Sequence, residues 1–281
     1  MSASENDVVV RAWNGVLFDK FVRFKHLLVS GLAAHSEEVL SRGLFRKGDR
    51  VLDVGCGFGD STIRIANIAD AVGVDCAENF IAAATKDANG SGASFFTADV
   101  QTDDLRGKYD HAFARFGTMF FMSPGAAMRN IRKSLKPGGT LTQIVWRKRE
   151  DNPWLHDAEL CVKEIVPVVK HEDTNQVHCG PGPFSMSGPD MVSSMLVSAG
   201  FSHVSFERFD ADICVGKDLH EAVEFAMSLG PAGEIIRLAG EEGARRKDAV
   251  ATALHETLAQ YSRSDGVWGP SSTWFVTARN P

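Results

Sequence analysis

Val51-Leu52-Asp53-Val54-Gly55-Cys56-Gly57-Phe58-Gly59-Asp60 is a short apolar strand that ends in an acid and opens into three glycines at alternate positions. Glycine tolerates positive φ and lacks the Cβ that would hold a ligand away from the backbone. The next residues, Ser61-Thr62-Ile63-Arg64-Ile65-Ala66, carry an apolar stripe at helical spacing. Strand, glycine turn and helix together form a cradle for a nucleotide cofactor.

The spacing narrows the choice of cofactor. A dinucleotide cradle uses Gly-x-Gly-x-x-Gly. Here the third glycine comes one residue early, at Gly59, and Asp60 takes the place of a small residue. Downstream, Val72-Gly73-Val74-Asp75 is a second strand ending in an acid, suited to accept ribose hydroxyls. Ser94 to Val100 is a third such run, with Asp99 near its end. Tyr109 to Phe116 is a fourth, and Leu135-Lys136-Pro137-Gly138-Gly139 turns into a fifth apolar run, Leu141 to Trp146.

Residues 48–146 resemble the class I S-adenosylmethionine (SAM)-dependent methyltransferases, close to the ubiquinone/menaquinone-type (type 11) group. The resemblance implies an α/β fold: a doubly wound, mostly parallel seven-stranded sheet, Rossmann-like, with helical insertions. It assigns the methionine end of SAM to Asp53, Gly55, Cys56, Gly57 and Gly59, and the ribose to Asp75. Cys76 and Phe80 then flank the adenine, Asp99 and Val100 meet its amino group, and Arg115 and Phe116 meet the sulfonium side. Arg115 has two further readings, a structural pairing with Asp53 or Asp99, or a wall of the acceptor site. The expected activity is transfer of a methyl group to a small molecule at O, N or C, with S-adenosylhomocysteine (SAH) as product. An NAD(P)-dependent oxidoreductase is the alternative. It is disfavoured by the glycine spacing and by the lack of a Tyr-x-x-x-Lys pair, the two tyrosines being Tyr109 and Tyr261. A SAM-binding protein without catalysis is a third reading.

The remaining sequence frames this domain. Residues 8–44 carry helical periodicity through Trp13, Val16, Leu17, Phe21 and Phe24, and residues 1–44 are expected to cap a methyltransferase domain spanning 45–281. Helix is expected over 155–169 and 189–199, strand over 204–215, mostly helix over 218–262, and a last antiparallel strand over 272–278. Acceptor-side insertions are expected at 147–188 and 216–268, near the strand ends that hold the cofactor. Candidate acceptor-pocket residues are Trp13, Phe18, Met119, Phe120 and Trp154. His156 is the first candidate for a general base, ahead of His171 and His178.

Composition sets limits. The chain has 281 residues, 44% hydrophobic and 23% charged, with a net charge of −6, so no overall basic field would gather nucleic acid. Arg147-Lys148-Arg149 and Arg245-Arg246-Lys247 read as solvated faces. Five scattered cysteines without a Cys-x-x-Cys pair point to the cytoplasm and to no metal site. No membrane span or signal-peptide pattern is expected. Oligomeric state is left open.

Overall fold

A computed structural model describes residues 5–167 and 178–281. The N-terminal segment is helical: α1 (Glu5–Asn14), α2 (Val16–Arg23), a π-helical turn at Leu27–Gly31 and α3 (Ala33–Ser41). Alternation then begins with β1 (Arg50–Val54), α4 (Asp60–Ala66), β2 (Asp70–Asp75), α5 (Glu78–Asp87), β3 (Ser94–Thr97), β4 (Tyr109–Arg115), α6 (Pro124–Ser134) and β5 (Leu135–Trp146). The second half holds α7 (Pro153–Ile165), α8 (Pro189–Ser198), β6 (Ser202–Gly216), α9 (Leu219–Ser228), α10 (Gly230–Leu238), α11 (Gly240–Arg245), α12 (Lys247–Leu258), β7 (Ser262–Arg263) and β8 (Gly266–Arg279). Helices α6, α7 and α8 begin with proline, which loses no hydrogen bond at a first helical turn. At α9 the Asp218 carboxylate accepts from Glu221 N.

The strands form one sheet in the order β3-β2-β1-β4-β5-β8-β6, with the two-residue β7 paired to β8. The first five strands are parallel, while β8 runs antiparallel to both β5 and β6. Side chains alternate between two buried faces, as a sheet wound on both sides requires. Leu52, Val54, Val72, Val74, Ala112 and Ala114 join one core; Val51, Ala71, Phe113 and Ile144 join the other. The seven-stranded doubly wound sheet expected from the sequence is therefore present, with β7 as a small addition.

Two features place the functional site. The order reverses between β1 and β4, so a crevice opens beyond the carboxyl ends of these strands. In addition, β8 pairs with β5 only from Thr273 onward, whereas its pairing with β6 reaches Val267. The β6–β8 ribbon thus projects past the carboxyl end of β5, and the chain between its strands supplies α9 to α12. A third apolar cluster, Phe58, Ala77 and Phe80, is packed by Trp13, Phe18 and Phe21 from the N-terminal helices.

Expected and observed boundaries agree to within a few residues, except at two ends. The last strand begins at Gly266 rather than 272, because β6 shields its first half. The third strand stops at Thr97, and Asp99 lies in the loop beyond it.

Candidate cofactor and acceptor site

Gly55 and Cys56 turn sharply off β1, their N–H groups both donating to Val74 O at 2.8 and 3.1 Å. Here the chain passes very close to the residues after β4: a Cβ on Gly55 would lie 3.0 Å from Gly117 Cα, and one on Gly117 the same distance from Gly55 Cα. Two glycines facing one another are what allow β1 and β4 to end side by side. Phe116, between β4 and Gly117, is held at φ +60°, a left-handed conformation that costs a non-glycine residue about 1–2 kcal/mol. Its ring stacks on Trp146 with centroids 4.6 Å apart, which helps to hold that conformation.

These turns open into a cavity of about 770 Å³, in the upper part of the roughly 300–1,000 Å³ typical of small-molecule sites. One end is walled by Gly55, Cys56, Gly57, Asp75, Cys76 and Phe80, continuing to Asp99, Val100, Arg115 and Phe116. Trp13, Met119, Phe120 and Trp154 line it further along.

At the tip of β2, the two Asp75 oxygens accept from Gly57 N and Ala77 N, each at 3.0 Å. Both oxygens keep lone-pair capacity toward the cavity. Burial raises the Asp75 pKa, opposed by the backbone N–H groups of Ala77, Gly57 and Cys76. Asp99 accepts from Gln101 N and Gln101 Nε2 on one oxygen, at 2.9 and 3.0 Å, and from Asn6 Nδ2 on the other, at 2.5 Å. Three donors fill most of the roughly four lone-pair sites of a carboxylate, leaving room for one more N–H. Asn6 belongs to α1, so the same contact latches the N-terminal helix onto the acid.

Trp13 is the second latch. Its indole lies 5.1 Å from Phe120, 5.3 Å from Phe21 and 6.3 Å from Phe80, and its Nε1 donates to Cys179 O.

Several residues expected at the site lie off the cavity. Asp53 is 1% exposed, and its Oδ2 accepts from Ser61 Oγ at 2.7 Å and Thr62 Oγ1 at 2.6 Å. It ties β1 to the start of α4 instead of facing a ligand. Gly59 also serves packing: a Cβ there would fall 2.7 Å from the Phe95 ring and 2.9 Å from Ala84. Phe18 is turned away from the α2 face that carries Leu17, Lys20 and Phe21, and packs on Phe80 at 5.0 Å and Phe58 at 6.4 Å. His156 lies one helical step round α7 from Leu155, which lines the cavity with Glu159, and does not line it itself. His178 does line the cavity, with its Nδ1 accepting from Gly180 N. His171 falls outside the described residues.

Arg115 pairs with neither Asp53 nor Asp99. It grips Asp60 with NH2 at 2.9 and 2.8 Å from the two carboxylate oxygens, while NH1 donates to Ser36 Oγ at 2.9 Å. Asp60 is thus a cavity residue that the family resemblance did not assign, although it stands directly after the third glycine. The sequence reading also omitted Lys20, Arg149, Glu159, Glu234 and Arg237, whose helices reach the cavity only through tertiary packing.

Burial raises the Asp53 pKa to about 6, partly offset by the Thr62 and Ser61 hydroxyls. A carboxyl raised on folding adds stability that is present below its ordinary pKa of 3.8 and lost as pH rises through 6. The stability of wild type relative to Asp53→Asn should therefore fall by about 2 kcal/mol between pH 4 and 7. His35 titrates in both proteins and cancels in the difference. It is pushed down to about 4 by burial and by Arg115, so its own contribution is present above 6.5 and lost as pH falls. Urea denaturation at stepped pH tests this; a flat difference removes Asp53 as the source.

Residues 51–139 match the family model described as a methyltransferase domain. Over 109 residues the chain is 31% identical to phosphoethanolamine N-methyltransferase 1 of Triticum aestivum; the match covers 37% of this chain and 22% of the relative, so the chain spans about a fifth of that protein. Among solved structures, a putative methyltransferase of Bacillus halodurans superposes with a TM-score of 0.56 at 16% identity, over 88% of this chain and 99% of that one. Phosphoethanolamine N-methyltransferase 2 of Haemonchus contortus, in complex with phosphomonomethylethanolamine and SAH, gives 0.57 at 16% identity, covering all of this chain and 61% of that one. Magnesium protoporphyrin IX methyltransferase of Synechocystis, with bound SAH, gives 0.52 at 18% identity over 74% and 93%. Residues 51–139 thus match a methyltransferase domain, and the strand order and glycine turn belong to the fold that these solved methyltransferases share.

Proposed function

We propose that the protein transfers a methyl group from SAM to a small-molecule acceptor at O, N or C, within the cavity beyond β1, β2 and β4. The observation that carries this reading is the pair of carboxylates, Asp75 and Asp99, that face one cavity with hydrogen-bond capacity left on each. In this reading Asp75 receives the ribose hydroxyls, Asp99 and Val100 receive the adenine edge, and Cys76 and Phe80 flank the ring. Gly55, Cys56, Gly57 and Phe116 adjoin the methionine portion. The Arg115–Asp60 pair offers both charges to its amino-acid end, a role first assigned to Asp53 and Gly59.

Bound there, SAM would supply an activated methyl group. The protein's part is to align the two reactants, an effect worth about 7–11 kcal/mol in favourable cases, and to exclude water, which strengthens the surrounding electrostatics. No histidine is assigned as base: His156 is turned away, and His178 Nδ1 is occupied by Gly180 N. Helices α1 to α3 act as a cap over the domain that follows, with Trp13 and Asn6 as its latches. The described residues of 147–188 and 216–268 supply the acceptor side, including Trp154 and the face of α10.

Nucleic acid is a poor candidate acceptor. Arg147 bonds Asp151 and Asp210, Arg149 bonds Glu159, and Arg245 and Arg246 bond Glu242, so the arginines of both basic clusters are answered by carboxylates. The five free cysteines suit the cytoplasm. Among the described residues, no helix is long and apolar enough to cross a membrane.

Calorimetric titration with SAH and with NAD tests the central reading. Micromolar SAH binding without NAD binding is expected, and NAD binding without SAH binding overturns it. The cap is tested by Trp13→Ala. Each lost aromatic contact is worth about 0.5–1.5 kcal/mol beyond burial. SAH affinity should therefore fall about tenfold, and SAH should no longer protect α1 and α2 from limited proteolysis. Unchanged affinity and protection would separate the cap from the site.

A further inference from the structure

Charge is distributed unevenly along the cavity. Asp75 and Asp99 leave the nucleoside end negative. At the other end are the cations Lys20, Arg149 and Arg237 and the carboxylates Glu159 and Glu234. Most of these answer one another. Arg237 forks onto Glu234 at 2.8 and 2.7 Å, occupying both oxygens, and Arg149 bonds Glu159, which also pairs with Lys163. Lys20 is different. Its Nζ donates to the backbone oxygen of Ser228 at 2.9 Å, and among the described residues no carboxylate lies within salt-bridge distance. The side chain is half-buried, and its pKa is lowered, chiefly by burial and also by the Arg237 charge, with Glu234 opposing.

A half-buried ammonium that bonds only a backbone carbonyl, its nearest carboxylate already taken by Arg237, can receive an anion. After bonding Ser228, Nζ keeps two N–H groups for one. The cavity wall also carries Leu17, Phe225, Leu229 and Trp154, alongside the Arg237–Glu234 pair. The cavity therefore offers a greasy slot with one surplus positive charge at its far end.

We propose that Lys20 is the anion anchor of the acceptor site, and that the acceptor is a small molecule with an apolar body and one carboxylate. This rests on the methyl-transfer reading for the word acceptor, but not for the anion site itself. A single surplus charge matches a monoanion, whereas a phosphate ester would bring a second charge with no partner. Because Lys20 lies on a cap helix and already touches α9, the carboxylate would also tie cap to insertion.

The test uses three probes of one shape: 2-naphthoate, 2-naphthyl phosphate and neutral 2-naphthalenemethanol. Each is titrated into the full chain with and without saturating SAH. The wild type should bind naphthoate at least tenfold tighter than the alcohol and tighter than the phosphate. Lys20→Gln keeps a donor for Ser228 but loses the charge, and should erase the preference over the alcohol. Lys20→Arg should restore it. Equal binding of the three, binding of none, a preference for the phosphate, or a preference that survives in Lys20→Gln overturns the proposal. The SAH titration reads the other site independently: no SAH binding with intact naphthoate discrimination removes the methyl-transfer reading and leaves the anion anchor standing.

Discussion

Asp75→Ala should lower the affinity for SAH by at least about 100-fold while the protein remains folded. A hydrogen bond to a charged group contributes about 1.5–3 kcal/mol, so a carboxylate that receives two ribose hydroxyls, as proposed for Asp75, would take about 3–6 kcal/mol of binding with it. The same carboxylate also orders the glycine turn through Gly57 N and Ala77 N, which adds to the loss. Folding suffers less. Burial already raises the Asp75 pKa, so the charge is a burden to the free protein that the alanine relieves. Asp75→Asn, which keeps one acceptor oxygen, should fall between wild type and alanine. Calorimetry with SAH, alongside thermal melts of the three proteins, checks the ordering. An SAH affinity within threefold of wild type in Asp75→Ala would remove Asp75 as the ribose acid.

The cofactor end of this cavity was legible because it is local. Strand tip, glycine turn and acid follow one another within Val51–Asp60, and the acids at 75 and 99 lie at or just past neighbouring strand tips, so parallel winding alone converges them. What pattern could not show was which way a side chain turns within the motif. Asp53 and Gly59 sit inside the glycine stretch yet serve packing, because Ser61, Thr62 and Phe95 approach them from elements placed later. Phe18 and His156 each miss the cavity by one helical step. The acceptor end was hardly legible. Lys20, Glu234 and Arg237 are ordinary polar residues on amphipathic helices, and only the long β6–β8 ribbon brings α10 opposite α2.

The Arg115–Asp60 pair should behave as one unit. The side chains are 9% and 18% exposed, and the bidentate bond joins the tip of β4 to the first turn of α4. Removing one member of such a pair leaves the other charge without its partner, at a cost of about 3–5 kcal/mol when burial is complete and less here. The two halves are not equivalent. After Arg115→Met, Asp60 still lies at a helix N-terminus, where the dipole favours negative charge. After Asp60→Ala, the guanidinium keeps only Ser36 Oγ and the Leu32 carbonyl as neutral acceptors, beside the already buried His35. Asp60→Ala should therefore be the more destabilising change in urea, by about 1 kcal/mol. The double variant should be less destabilised than the sum of the two, with a coupling of about 2 kcal/mol. Additive losses would mean that the contact carries no coupling and that each residue serves the cavity alone. If coupling is present and SAH affinity drops by a similar factor in all three variants, the pair acts on the methionine end as a preformed zwitterion partner, which neither residue provides without the other.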